Sequence, residues 1–171
     1  MARASAAVAL AAALAVLAAC ASSRPPRTSP LLGRPVRIAA PDLAGDTVSV
    51  HADGARVRVV DFWASWCEPC REQFPLLDRL LEEHGASGLA VYAVSFDEDR
   101  AQIDEFLRDI PVRFEILWDK GGESLSGPLA IDRLPTTLVL DREGVVRHAH
   151  VGGGARHAEA LEGEVRELLG R

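Results

Sequence analysis

Lysine and methionine each occur once in these 171 residues, as Lys120 and Met1, and cysteine three times, at positions 20, 67 and 70. Each scarcity removes a class of function. With one lysine, no basic run and a net charge of −6, the chain lacks the positive stripe that a nucleic-acid phosphate backbone requires, and no nucleic-acid partner is expected. A single methionine provides no thioether set for a copper carrier. Three cysteines fall short of a four-thiolate zinc site. The histidines at 51, 84, 148, 150 and 157 stand at no spacing that would complete one, so no metal is expected. His148 and His150 alternate on a strand and could share a face, which reads more simply as a solvated strand surface. The longest uncharged apolar run, Ala6 to Ala19, has 14 residues, short of the about 20 that cross a bilayer as a helix.

That run instead has the form of an export signal. Met1-Ala2-Arg3 supplies the positive start, the alanine-rich segment the apolar centre, and Leu17-Ala18-Ala19-Cys20 resembles a bacterial lipobox. The expectation is a signal peptide over 1–19 and a lipidated Cys20 anchoring the mature chain to a membrane. Ordinary cleavage at the small residues around Cys20, giving a soluble exported protein, is the alternative. Residues 20–32 hold the Pro/Ser-rich stretch Ala-Ser-Ser-Arg-Pro-Pro-Arg-Thr-Ser-Pro, expected to be a flexible tether. One domain over 33–171 remains. Without the leader the remaining chain carries a charge of −7, from 18 basic and 25 acidic residues.

The informative segment is Trp66-Cys67-Glu68-Pro69-Cys70, set after the apolar run Val59 to Ala64. Pro69 suits a first helical turn, where its missing N–H is not needed. Phe74, Leu77 and Leu81 then recur at helical spacing. Cys67 would therefore sit at a helix N-terminus, where free N–H groups and the dipole favour a thiolate. A strand, CxxC and a helix together read as a thioredoxin-like redox site. Glu68, between the cysteines, opposes the dipole by like-charge repulsion of a Cys67 thiolate.

Val59 to Cys70, followed by Arg71-Glu72-Gln73-Phe74-Pro75, resembles the thioredoxin superfamily and within it the membrane-tethered TlpA/ResA-like branch. Leu134-Pro135-Thr136-Thr137 resembles that family's second signature. The resemblance implies an α/β thioredoxin fold: a central mixed sheet flanked by helices, an N-terminal β-hairpin and a central αβ insert between Phe96 and Leu117. Along the chain, strands are expected at Thr47–His51, Arg56–Phe62, Leu89–Phe96, Val112–Leu117, Thr136–Asp141 and Val145–Val151. Helices are expected at Pro69–His84, Asp99–Asp109, Ser124–Ile131 and a last one bearing Ala158, Leu161, Val165 and Leu168 on one face.

The resemblance also implies roles. Cys67 is the attacking thiol and Cys70 the resolving one, so the redox-active disulfide is internal and no further cofactor is expected. Asp61, six residues before Cys67, matches thioredoxin's buried aspartate, which exchanges protons with the resolving cysteine; a solvated strand-edge aspartate is the plainer reading. Pro135 is expected cis, placing the Leu134 backbone beside Cys67 for strand addition by an extended substrate. Trp66, Glu68, Pro69 and Leu134 would border the substrate. Gln73 departs from the pattern: TlpA-like relatives often carry glutamate there, and Glu72 is rotated about 100° away on a helix, so acid–base duty falls to Asp61.

The function expected is thiol–disulfide exchange in the cell envelope, in the reducing direction, on protein disulfides such as those of apocytochrome c. A membrane electron donor would supply the reducing equivalents. An oxidant or isomerase of the same class, a peroxiredoxin-like peroxidase (with Ala64 where its threonine is expected) and a non-catalytic metal-carrying lipoprotein are the alternatives.

Overall fold

The computed structural model describes residues 29–153 and 155–170; the leader, Cys20 and most of the tether lie outside them. Five strands form the central sheet in the order β5-β4-β3-β6-β7. These are β3 (Val57–Trp63), β4 (Leu89–Ser95), β5 (Glu115–Trp118), β6 (Thr136–Leu140) and β7 (Val146–Val151). β3, β4 and β5 run parallel, whereas β6 and β7 are antiparallel additions on the other side of β3. All seven residues of β3 are buried, as a central strand covered on both faces requires.

The two faces have separate cores. Val57, Val59 and Trp63 pack with Phe74, Leu77 and Leu80 of α1 (Glu68–His84), Ile103 and Phe106 of α2 (Arg100–Asp109), and Leu161, Val165 and Leu168 of α3 (Ala155–Leu169). On the opposite face Val60 and Phe62 meet Val36, Ile38 and Val50 from the N-terminal region and Leu125, Leu129 and Ile131 from the segment before β6. Leu31 is also buried there, two residues ahead of Gly33.

The N-terminal hairpin pairs β1 (Ala39–Pro41) with β2 (Thr47–Ser49) as a separate two-stranded sheet. β1 lies outside the expected strands: it is three residues long and ends in proline, a residue tolerated at a sheet edge. A second difference lies at 124–131, expected as a helix. The chain there makes successive turns. Pro128 disfavours helical backbone at Gly127, Ala130 takes φ of 49°, and the Asp119 carboxylate instead holds the N–H groups of Ser124 and Leu125 at 3.0 and 2.8 Å. β5 starts three residues later than expected, at Glu115, after α2 and the turns that follow it. α2 is capped where Asp99 accepts from the Ala101 N–H at 2.9 Å.

Candidate active site

Cys67 is the N-cap of α1, with extended backbone (φ −89°, ψ 99°) and Glu68 and Pro69 in the first turn. The chain turns into the helix through the Cys67 N–H on the Ala64 carbonyl at 3.0 Å and the Cys70 N–H on the Cys67 carbonyl at 3.0 Å. One turn of helix brings the two cysteines to a Cα separation of 5.3 Å, and they are joined as a disulfide. The pair is unequally covered: Cys67 keeps 6% of its surface and Cys70 none. Both belong to the core that holds Trp63 and the apolar face of α1, against which Leu134 packs. An entering partner therefore reaches Cys67 first.

Trp66 is 70% exposed, whereas Trp63 is fully buried against Phe74 and Phe106, ring centroids 4.5 Å apart in each case. Only Trp66 is therefore available to a partner. Glu68 and Pro69 are exposed beside it. The Leu134–Pro135 peptide bond is cis, as its motif implied; Pro135 is buried and Leu134 half-buried against the same core as the cysteines. The β7–α3 loop completes the rim. Gly152 donates its N–H to the Pro135 carbonyl at 2.8 Å. At Gly153 a Cβ would lie 3.1 Å from both Cβ and the carbonyl oxygen of Pro69, so a glycine permits that close approach.

Beneath the disulfide, Asp61 is wholly buried on β3, which removes the strand-edge reading. The face it shares with Val59 and Trp63 is the one covered by α1. Gln73, in α1, donates from Nε2 to Asp61 Oδ1 and to Thr137 Oγ1, both at 2.8 Å, and Thr137 donates from Oγ1 to Asp61 Oδ1 at 2.7 Å. Asp61 Oδ2 has no hydrogen-bond partner among the described residues. Burial pushes the Asp61 carboxyl up to about 7, against the opposing pull of the Thr137 and Gln73 hydrogen bonds. Cys70 lies three residues before Gln73, hence on the same side of α1. In the sequence alone Gln73 stands as a departure from an acid group, and Thr137 shows only as part of the Leu134–Thr137 motif. The available signal was Gln73 at an i+3 position from Cys70, facing a strand that carries a carboxylate.

The histidine pair on β7 is tied to a carboxylate: His148 Nδ1 and His150 Nε2 lie 3.1 and 2.7 Å from the Glu164 oxygens. Among the described residues no group of three or more His, Cys, Asp or Glu side chains is placed to hold a metal. None of their helices is long and apolar enough to cross a membrane.

A disulfide across the first turn of a helix, a cis-proline loop against it and a buried carboxyl behind it, on a β-sheet of this order, define a thioredoxin-fold thiol–disulfide oxidoreductase. Residues 34–149 match the AhpC/TSA family, and the chain belongs to it. It is similar to the thioredoxin-like protein YneN of Bacillus subtilis, 35% identical over 113 residues that make up 64% of this chain and 65% of that one. The match thus spans just under two thirds of that relative's length. It is also similar to the thiol-disulfide oxidoreductase ResA of Bacillus cereus, 25% identical over 127 residues, 74% of this chain and 72% of ResA. Among solved structures, a Chlorobium tepidum protein provisionally described as thiol:disulfide interchange protein DsbE superposes with a TM-score of 0.73 at 31% identity, covering 78% of this chain and 94% of that one.

Proposed function

We propose that this chain reduces disulfides of exported proteins at the outer face of a bacterial membrane, held there by a lipid on Cys20. The observation that carries the chemistry is the unequal Cys67–Cys70 pair at the start of α1, beside exposed Trp66. In the dithiol form, the Cys67 thiolate attacks one sulfur of a partner disulfide, forming a mixed disulfide and releasing one partner thiolate. Cys70 then loses its proton and attacks Cys67 Sγ. The partner leaves as its second thiolate, and Cys67–Cys70 closes. Two electrons pass to the partner, so a membrane dithiol donor must restore the pair for each turnover. Asp61, with a carboxyl that changes charge near neutral pH, is the group suited to exchange the Cys70 proton.

The reducing direction is supported by the relatives' resemblance to the ResA type, and apocytochrome c is the substrate that resemblance suggests. Gln73, in place of the glutamate common in that branch, leaves other exported disulfides equally suited. The lipid anchor rests on the Leu17-Ala18-Ala19-Cys20 motif.

The deciding experiment is the reduction potential of the Cys67–Cys70 couple, equilibrated against dithiothreitol and glutathione buffers. A value near or below the thioredoxin level of about −270 mV supports a reductant, and one near about −120 mV makes the protein a disulfide donor. Mass spectrometry of the mature N-terminus tests the anchor: unmodified Cys20, or a chain starting elsewhere, removes it.

A further inference from the structure

Asp97 is fully buried just beyond β4, and the thiol chemistry above makes no use of it. Its carboxyl oxygens are committed to the segment that carries the attacking cysteine. Oδ1 accepts from Ser65 Oγ at 2.7 Å and from the Ser65 N–H at 3.2 Å. Oδ2 accepts from the same N–H at 3.0 Å and from Ser95 Oγ at 2.8 Å. Its own backbone is fixed from the other side. The Asp97 N–H donates to Ser95 Oγ at 3.0 Å, and its carbonyl accepts from Trp118 Nε1 at 2.7 Å and the Gly121 N–H at 3.3 Å. Asp97 thus joins the carboxyl ends of β4 and β5 to Ser65, the residue before Trp66 and two before Cys67.

We propose that Asp97 is a positioning residue, which holds the Ser65-Trp66-Cys67 turn in the orientation that a polypeptide disulfide requires; this rests on Cys67 being the attacking thiol. Trp66 projects into solvent at 70% exposure, so its direction is set by its backbone and by the residue before it. Ser65 is held through both its N–H and its hydroxyl. A turn fixed in this way is ordered before a partner arrives, and ordering it then costs no binding free energy. A polypeptide, which must align with Trp66 and Leu134 as well as place its sulfur at Cys67, depends on that geometry. A small disulfide needs only the thiolate.

The test compares two substrates with the full chain, reduced with dithiothreitol and freed of it: insulin, and the small aromatic disulfide 5,5′-dithiobis(2-nitrobenzoate). Asp97→Asn and Ser65→Ala are expected to slow insulin reduction about tenfold, within the range that misplacing reacting groups costs. The small disulfide is expected to slow by less than about twofold, since near-attack geometry at one sulfur is all it needs. Ser65→Thr, which keeps the hydroxyl, is expected to restore the insulin rate. Equal losses on both substrates, or no loss on insulin, would overturn the assignment. Ser65→Ala removes only a half-buried hydroxyl and so decides the matter even if Asp97→Asn does not fold. A wild-type protein that reduces neither substrate would instead overturn the thiol–disulfide reading, and this inference with it.

Discussion

Asp61 carries two hydrogen bonds on one carboxyl oxygen and none on the other, and burial sets the balance between its protonated and charged forms. Its folded pKa, about 7, lies above the ordinary carboxylate value. The folded protein therefore binds a proton that the unfolded chain releases, and folding stability falls as pH rises from about 4 to about 7 on this account. Asp61→Asn removes that dependence. The variant is expected to match the wild type at pH 4 and to exceed it in urea midpoint at pH 8; an equal gap at both values would contradict the raised carboxyl. Gln73 and Thr137 pull the other way, since each hydrogen bond favours the carboxylate. Gln73→Leu should move the Asp61 titration upward, measured by carbon NMR of the labelled carboxyl, and a downward shift would show that Gln73 does not serve as its donor.

At the scale of elements, α1 does two things at once. Its first turn presents Cys67, and its buried face fixes the helix against β3 and α2 through Phe74. That ring lies 4.5, 4.9 and 5.2 Å from those of Trp63, Phe106 and Phe114. Phe74→Ala should destabilise the oxidised protein by about 3–5 kcal/mol in urea unfolding, the cost of the lost contacts and of the cavity left behind. A loss under about 1 kcal/mol would mean that the cluster closes over the gap. β3, β4, β6 and β7 fall within two residues of their expected bounds and α1 and α2 within one; β3 and β4 were legible because a buried parallel strand leaves a continuous apolar run. β1 and the turns at 124–131 were not legible. Three residues with little periodicity leave no pattern, and the apolar spacing of Leu125, Leu129 and Ile131 follows from covering the second core face, not from a helix.

Across the whole molecule, the scatter of the potential ligand side chains among the described residues limits what the reduced protein can hold. Two thiols with no third ligand group assembled among the described residues are expected to release zinc, which takes four ligands, during gel filtration of the reduced form. Retention of one equivalent, measured by elemental analysis, would favour a metal-carrying role. The same scale explains why two cores are needed. The helical core carries the cysteines and the aromatic cluster and covers the face of β3 that bears Asp61, while the second supports β3 from behind.

The redox pair, the strand leading into it and the α/β class were legible in the chain, because each depends on residues close together: CxxC at a helix start and apolar runs of strand length; the cis form of the Leu134–Pro135 bond was implied by the family resemblance. The tertiary structure alone decided the surroundings of that chemistry. Gln73 meets Asp61 across 12 residues, Thr137 meets it across 76, and Ser65 meets Asp97 across 32. No local pattern encodes such contacts. They form when helix packing and strand pairing exclude water from groups that must then satisfy one another.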